Sequence, residues 1–142
     1  MVREAVVQDM EAVRALTGEL EDRVFDSGRF DRVFRSKLAS PDDLILVWCA
    51  GTSEDPCGYI HLRIEEQLHH EGEIAEIMEL VVGSAARGGG VGGELLGAAV
   101  ARARERCCEQ IELTSNARRL RAHAFYERHG FEKTHVKLVK GL

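Results

Sequence analysis

A cluster of glycines in the second half of the chain is the feature that most constrains its fold. Six of the 14 glycines lie between Gly83 and Gly93. An apolar run over residues 73–82 precedes the cluster and predicts a β-strand, and residues 90–106 have the apolar spacing of a helix. Because glycine accepts positive φ angles and lets a ligand approach the backbone closely, we expect a strand–loop–helix unit that binds a ligand.

The start of the helix that follows this loop is suited to binding a phosphate. The first turn of a helix has unpaired N–H groups and carries the positive end of the helix dipole. Phosphate groups bind at such positions, and an arginine immediately before the glycines adds a positive charge. The sequence therefore predicts a phosphate or pyrophosphate site formed by Arg87, Gly88, Gly89, Gly90, Val91, Gly92 and Gly93.

Two other phosphate-binding motifs fit the loop less well. It lacks the Gly-Lys-Ser/Thr of a P-loop, which excludes a nucleoside triphosphatase of that kind. Gly88, Gly90 and Gly93 match the spacing of a dinucleotide-binding motif, and Glu112 follows about 20 residues later. In a dinucleotide-binding domain, however, the strand runs directly into the first glycine, whereas residues 83–87 intervene here. We therefore favour a different phosphorylated ligand.

Apolar patterning along the chain predicts alternating strands and helices. The predicted strands cover residues 2–6, 44–50, 57–68, 73–82, 111–114 and 131–139. The predicted helices cover residues 9–21, 30–38, 90–106 and 118–129, and Gly130 ends the last one. Adjacent strands in the first half, and strands alternating with helices in the second, predict a single α/β domain over residues 1–142 with a mixed sheet.

Composition argues against several classes of protein. The chain has 142 residues, of which 44% are hydrophobic and 30% are charged, as in a soluble globular domain. No apolar run reaches the roughly 18–20 residues of a membrane helix, and no secretory leader opens the chain. The four cysteines lack the spacing of a zinc site, and we expect reduced thiols in a cytoplasmic protein.

Charge is distributed unevenly along the chain. The net charge is −5, but residues 117–142 contain seven basic and only two acidic side chains. The preceding residues contain 12 basic and 22 acidic side chains. An acidic body repels nucleic acid, whereas a local basic cluster suits a small anion such as a phosphorylated cofactor or substrate.

Two motifs in this chain resemble the GNAT superfamily of N-acetyltransferases. Residues 87–92 fit the pattern R-x-x-G-x-G, and residues 122–131 fit A-x-x-F-Y-x-x-x-G-F. Residues 79–82 resemble the central strand of the family, and residues 2–9 resemble its opening strand and helix. The resemblance covers nearly the whole chain. It implies the GNAT fold, which is a mixed, mostly antiparallel central sheet flanked by about four helices.

The resemblance also implies that acetyl-CoA is the acetyl donor. Its pyrophosphate would sit on the loop from Arg87 to Gly93. Its pantetheine arm would lie beside the central strand and bond to the main chain of Leu80, Val81 and Val82, and Asn116 would join the same site. Such bonding is physically reasonable, because the free N–H and C=O groups of an unpaired strand edge can form hydrogen bonds with the amides of the arm.

The implied reaction is direct attack of an amine on the thioester. Tyr126 occupies the family position of the general acid that protonates the leaving thiolate. Glu76 resembles the family's general base, Glu79 is the second candidate, and a chain of waters is a third. Regular strand alternation would place Glu76 on the face of Leu80 and Glu79 on the opposite face.

Several short segments resemble a narrower group, the aminoalkylphosphonate N-acetyltransferases. They include Phe25-Asp26, Leu68-His69-His70, Thr114-Ser115-Asn116 and Thr134-His135. A phosphonate needs cationic or hydrogen-bonding partners, for which the candidates are Arg118, Arg119, His69, His70 and His123. The group is associated with a divalent metal, and the candidate ligands here are His69, His70, Glu71 and Glu73. Leu120-Arg121 departs from the group's pattern.

Two alternatives to a small-amine acetyltransferase stay open. The acidic body over residues 1–116 would suit the cationic substrate of a protein or peptide N-acetyltransferase acting on lysines or N-termini. The same fold can also serve as a non-catalytic acyl-CoA-binding module. We expect a small-molecule amine as the partner, rather than nucleic acid or a membrane. Family members are often dimers, so a homodimer is open, and the sequence does not decide the oligomeric state.

Overall fold

A computed structural model describes residues 1–142 and contains one five-stranded sheet. The strands are β1 (Val2–Glu4), β2 (Asp43–Cys49), β3 (Pro56–Gln67), β4 (Gly72–Val82) and β5 (Ile111–Leu113). Their order in the sheet is the order in the chain. The first four strands pair antiparallel, and β5 pairs parallel with β4. The predicted α/β class with a mixed, mostly antiparallel sheet is confirmed.

Four helices cover the two faces of this sheet. They are α1 (Met10–Glu21), α2 (Ser27–Ala39), α3 (Val91–Glu105) and α4 (Leu120–Arg128). Helices α1 and α2 pack on one face, where Val13, Leu16 and Phe34 form a core cluster with residues of β2–β4. Helix α3 packs on the other face through a second cluster that includes Leu95 and Leu96. No helix is both long and apolar enough to span a membrane.

The start of α1 shows how side chains fix an element boundary. The carboxylate of Asp9 is buried and accepts the N–H of Val6 at 2.8 Å. Arg3 donates to both oxygens of the same carboxylate, at 2.8 and 2.9 Å. This pairing ties the first turn of the helix to β1, because each hydrogen bond satisfies a group that burial would otherwise leave unpaired.

An irregularity in β4 determines which side chains reach each face of the sheet. His61 pairs with Glu79, but the next residue of β3, Leu62, pairs with Ile77, so Met78 is an extra residue. Such a β-bulge shifts the alternation of the strand by one residue. Glu76 and Glu79 therefore both lie on the face covered by α1 and α2. The expectation that they lie on opposite faces is wrong, because it assumed regular pairing.

The predicted last strand over residues 131–139 does not form within this chain. Phe131 packs against the core of α3, but the residues after it belong to no strand or helix. Val136, Leu138 and Val139 are 80–90% exposed. The alternating pattern of the segment is that of a strand, but a strand also needs a neighbour with which to pair.

Candidate active site

The loop over residues 87–93, here called the phosphate loop, presents a row of unpaired amides. Gly88 and Gly90 have φ angles of +81°, which favour glycine. No N–H group from residue 88 to residue 93 donates to a backbone carbonyl. The first helical donor is Glu94, which bonds to the carbonyl of Gly90 at 3.1 Å. This arrangement suits an anionic diphosphate, since the free amides and the helix dipole both attract negative charge.

Helix α4 and the residue after it pack against the start of α3 at Gly92 and Gly93. A Cβ atom on Gly92 would lie 3.4 Å from Cζ of Phe125, and one on Gly93 would lie 3.6 Å from Nε2 of His129. Nδ1 of His129 donates to the carbonyl of Phe125 at 2.8 Å. This hydrogen bond leaves Nε2 free beside the phosphate loop. Sequence reasoning missed His129, although its spacing of four residues from Phe125 placed it on the same helix face.

Arg87 is anchored at the entrance of the phosphate loop. Its Nε donates to the carbonyl of Val82 at 3.1 Å, and a terminal nitrogen pairs with Glu19 at 3.2 Å. Glu19 also accepts the N–H of Ser84 at 2.8 Å. Glu19 was not expected from the sequence, because it lies far away in the chain, on α1. Its carboxylate fixes the loop and offsets part of the positive charge of Arg87.

Strand β4 has an open edge beside the phosphate loop. Its pairing with β5 covers only residues 75–77, whereas its pairing with β3 continues to Val82. The backbone on the β5 side of Leu80, Val81 and Val82 therefore faces no strand. Unpaired backbone groups of this kind can accept an extended, amide-bearing chain as an added strand.

The divergence of β4 and β5 opens a cleft of about 480 Å³. Tyr126, Glu79, Leu80 and Asn116, all expected from the sequence, line this cleft. Glu76 does not line it, and its carboxylate instead pairs with Arg63 at 3.0 Å. The side-chain oxygen of Asn116 accepts the N–H of Arg118 at 2.9 Å. The fold thus brings one candidate acid and one candidate base into the same space.

The hydroxyl of Tyr126 is held in its protonated form. Its ring lies edge-on to the rings of Phe125 and Phe131, with centroid separations of 5.2 and 5.6 Å. Burial raises the pKa of Tyr126, and the positive charge of Arg119 opposes this rise only in part. A tyrosine with a raised pKa carries its proton at neutral pH and can donate it.

Glu79 is the outer member of a chain of three titratable side chains. His61 is 7% exposed, and its Nε2 lies 2.6 Å from Oδ1 of Asp43. Its Nδ1 lies 3.5 Å from Oε2 of Glu79. Burial would raise the pKa of Asp43, but hydrogen bonds from His61 and Ser40 outweigh it and hold that pKa below its usual value. The imidazole of His61 therefore lies between two carboxylates, with Asp43 at Nε2 and Glu79 at Nδ1.

The cleft is lined by charged side chains of both signs. Glu21 and Asp22, at the end of α1, line it together with Glu79. Arg118 and Arg119 line it from the segment before α4, and neither guanidinium takes part in an ion pair of the chain. The cleft can therefore hold a molecule with a positive group at one end and a negative group at the other.

The turn between β3 and β4 does not form the metal site considered from the sequence. His70 pairs with Glu109 at 2.8 Å, and Glu73 pairs with Arg106 at 3.0 Å. No group of three or more His, Cys, Asp or Glu side chains in the chain is arranged to hold a metal ion. Two of the four candidate ligands, His70 and Glu73, are therefore used in separate surface ion pairs.

Comparison with known proteins identifies relatives of the whole chain. The profile of the acetyltransferase (GNAT) family matches residues 10–131. The aminoalkylphosphonate N-acetyltransferase of Salmonella typhimurium is 35% identical over 141 residues, which cover 99% of this chain and 90% of that protein. The match reaches beyond the phosphate loop and includes both walls of the cleft.

Solved structures agree with this assignment. A transcriptional regulator from Bacillus halodurans C-125 superposes with a TM-score of 0.91 at 28% identity, over 100% of this chain and 99% of that one. Glucosamine-6-phosphate N-acetyltransferase from Arabidopsis thaliana has a TM-score of 0.84 at 22% identity, over 99% and 97% of the two chains, and supports the fold alone. The motifs, the fold and the match over nearly the whole chain show that the protein belongs to the acetyltransferase (GNAT) family.

Proposed function

We propose that this acetyltransferase moves the acetyl group of acetyl-CoA to the primary amine of a small zwitterionic molecule, with an aminoalkylphosphonate as the leading candidate. One observation carries the choice of substrate class. The cleft is lined both by Glu21, Asp22 and Glu79 and by Arg118 and Arg119. Carboxylates suit an ammonium group, and unpaired guanidinium groups suit a phosphonate. The name of the Salmonella relative supports the same choice.

The donor side of the site would hold acetyl-CoA through backbone groups. The free amides of residues 88–93 would receive the pyrophosphate. The open edge at Leu80, Val81 and Val82 would receive the pantetheine arm. A backbone N–H group at this edge would stabilise negative charge developing on the acetyl oxygen. This binding would bring the thioester to the point where β4 and β5 diverge.

Glu79 would act as the general base. It lines the cleft, whereas Glu76 is occupied by Arg63 outside it. The carboxylate of Glu79 would take one proton from the amine as the new C–N bond forms. His61 lies behind Glu79, and its Nδ1 can accept that proton while Asp43 stabilises the resulting imidazolium. His61 would in this way be a positioning residue rather than a group that touches the substrate.

Tyr126 would act as the general acid. As the C–S bond breaks, its hydroxyl would give a proton to the departing sulfur, and the product would leave as a neutral thiol. Proton exchange with solvent would then return the proton on the Glu79–His61 pair to Tyr126. Each cycle would therefore consume one amine and one thioester and produce one amide and one thiol, with no net change in the enzyme.

A thiol-release assay with matched acceptors tests the proposal. The acceptors are an aminoalkylphosphonate, an alkylamine of the same chain length and a lysine peptide. We expect turnover of the aminoalkylphosphonate, and we expect Arg119→Gln to raise its KM by at least about tenfold. Arg121→Gln is the matched control, because Arg121 is exposed, lies only two residues further along the chain in the first turn of α4, and does not line the cleft.

The other outcomes of this assay are also decisive. Equal turnover of the alkylamine would remove the phosphonate from the proposal and keep the acetyl transfer. Turnover of the peptide alone would assign the acidic wall to a cationic polypeptide. No thermal shift with acetyl-CoA would overturn the whole proposal, because a ligand that binds the native state must stabilise it.

A further inference from the structure

Two buried hydroxyl groups lie between helix α1 and the sheet, close to the candidate base. Tyr59 of β3 is 2% exposed, and Thr17 of α1 is 6% exposed. Their side-chain oxygens are 2.7 Å apart, which is the distance of a hydrogen bond. Neither residue lines the cleft, so each of them can influence the reaction only through a neighbouring side chain.

A count of protons gives the direction of this hydrogen bond. Thr17 has one hydroxyl proton and donates it to the carbonyl of Val13 at 2.7 Å. The bond between the two hydroxyl groups therefore uses the proton of Tyr59. Because that proton is directed at Thr17, the oxygen of Tyr59 presents only lone pairs to its other neighbours.

Glu79 is one of those neighbours. Tyr59 and His61 are two residues apart on β3, so their side chains lie on the same face of the sheet. His61 pairs with Glu79 across the two strands. Burial raises the pKa of Tyr59, and the negative charge of Glu79 raises it further. A phenol that keeps its proton therefore lies next to the candidate base, with that proton directed at Thr17.

We propose that Thr17 and Tyr59 are positioning residues that keep Glu79 a stronger base by withholding a hydrogen-bond donor from its carboxylate. This inference rests on the proposed function, in which Glu79 takes a proton from the amine. A hydroxyl group that donates to a carboxylate stabilises the ionised form and so weakens the base. As long as Thr17 accepts the phenolic proton, Tyr59 does not donate to Glu79.

Other titratable groups also face Glu79 and influence its affinity for a proton. The imidazole of His61 is 3.5 Å away, and Asp43 lies behind that imidazole. The remaining groups line the cleft and are Glu21, Asp22, Arg118, Arg119 and Tyr126. None of them bonds to Thr17, whose hydroxyl contacts only Val13 and Tyr59. A substitution at Thr17 therefore redirects one proton and leaves the surrounding charges in place.

A matched pair of variants at Thr17 tests the proposal. Thr17→Val keeps the shape of threonine without its hydroxyl group, so the proton of Tyr59 becomes free to bond to Glu79. Thr17→Ser keeps the hydroxyl group. Carbon-13 NMR of the full chain follows the titration of the Glu79 carboxyl group, and Glu79→Gln identifies its signal. We expect the titration midpoint to fall by at least about half a pH unit in Thr17→Val and to stay at the wild-type value in Thr17→Ser.

The kinetics of acetyl transfer supply a second readout. In Thr17→Val the acid limb of the pH profile of kcat/KM should move to lower pH by the same amount. The plateau of kcat should fall by about threefold to tenfold, because a weaker base accepts the proton less readily. Tyr59→Phe removes the hydroxyl group together with its proton, so its profile should stay close to that of the wild type. The double variant should regain that profile.

A merely structural role of the pair predicts a different pattern. Thr17→Val and Tyr59→Phe break the same hydrogen bond between α1 and the sheet, so both would then have equal effects, without recovery in the double variant. That result overturns the proposal, and so does an equal titration midpoint of Glu79 in Thr17→Val and Thr17→Ser. The NMR titration needs no substrate. It therefore separates a failure of this inference from a failure of the proposed function, which would appear as an absence of turnover with every acceptor.

Discussion

The donor and acceptor sides of the proposed active site are formed by different parts of the chain. The donor side consists of backbone: the free amides of the phosphate loop and the open edge of β4. The acceptor side consists of side chains from α1, β3, β4 and the segment around α4. A backbone site can be specified by a short contiguous motif, since glycines at fixed positions set the geometry. A side-chain site depends on how distant elements are placed, so small changes in register alter its chemistry.

Removal of the Tyr126 hydroxyl should have the largest effect and should slow the chemical step without weakening donor binding. We expect Tyr126→Phe to lower kcat by about 100-fold to 10,000-fold, with little change in the affinity for acetyl-CoA. Steady-state kinetics and calorimetric titration measure the two quantities. A loss of acetyl-CoA affinity in Tyr126→Phe would show that the two sides are not separable.

The pH dependence of the same reaction supplies a further check on Tyr126. Because burial raises its pKa, the hydroxyl keeps its proton as the pH rises past the ordinary range of tyrosine, about 10. We expect no alkaline loss of kcat from this group below that pH. A fall in kcat that begins near pH 8 and disappears in Tyr126→Phe would contradict the predicted direction.

Substitution of the two glutamates of β4 should have the next largest effect, and it discriminates between the candidate bases. We expect Glu79→Gln to lower kcat/KM by about 100-fold, because Glu79 lines the cleft. The same exchange at Glu76 should cost less than about tenfold, since it removes only the pair with Arg63. The reverse order would assign the base to Glu76. Equally small losses in both variants would favour a chain of waters.

Two glycine-to-alanine substitutions test the donor side with a smaller expected effect. Gly90 has a φ of +81°, whereas Gly97 lies inside α3 with open space around it. We expect Gly90→Ala to weaken acetyl-CoA binding by about tenfold, because a side chain strains this conformation by about 1–2 kcal/mol. Gly97→Ala should stabilise the helix by up to about 1 kcal/mol and leave binding unchanged. Equal affinity in both variants would mean that the loop conformation does not matter.

The smallest expected effect is the contribution of the Asp43–His61 pair to the stability of the folded protein. The folded-state pKa of Asp43 lies below its unfolded value. Its ionised form therefore stabilises the protein above the unfolded pKa, and this contribution disappears as the pH falls through the folded pKa. We expect Asp43→Asn to reduce the difference in free energy of unfolding between pH 7 and pH 3, as measured by urea titration. The exposed turn residue Asp55, changed to Asn, should leave that difference unaltered.

The contrast between a donor side formed by backbone and an acceptor side formed by side chains also explains which features could be predicted from the sequence. The phosphate loop was predictable because Arg87 and its glycines are contiguous and directly precede an apolar helix. The helices and most strands followed from apolar spacing. Pairing between distant segments was not predictable, because it depends on sheet register. His61 illustrates this limit: it resembled an ordinary strand residue until the register placed it between Asp43 and Glu79.

The C-terminal segment shows a second limit of sequence patterns. Residues 131–139 alternate as a strand should, but alternation indicates only a preference for being half buried. It does not identify the neighbour with which the strand would pair, and in this chain the segment forms no strand.

The extra residue at Met78 has a consequence for comparing relatives of this enzyme. Odd-numbered residues of β4 lie on one face of the sheet before the bulge and on the opposite face after it, and even-numbered residues do the reverse. A relative without the extra residue would present a different set of side chains to its acceptor at the same aligned columns. Acidic residues of this strand should accordingly be aligned by counting from the nearest paired residue of β3, because a gap of one position moves a candidate catalytic carboxylate to the opposite face of the sheet.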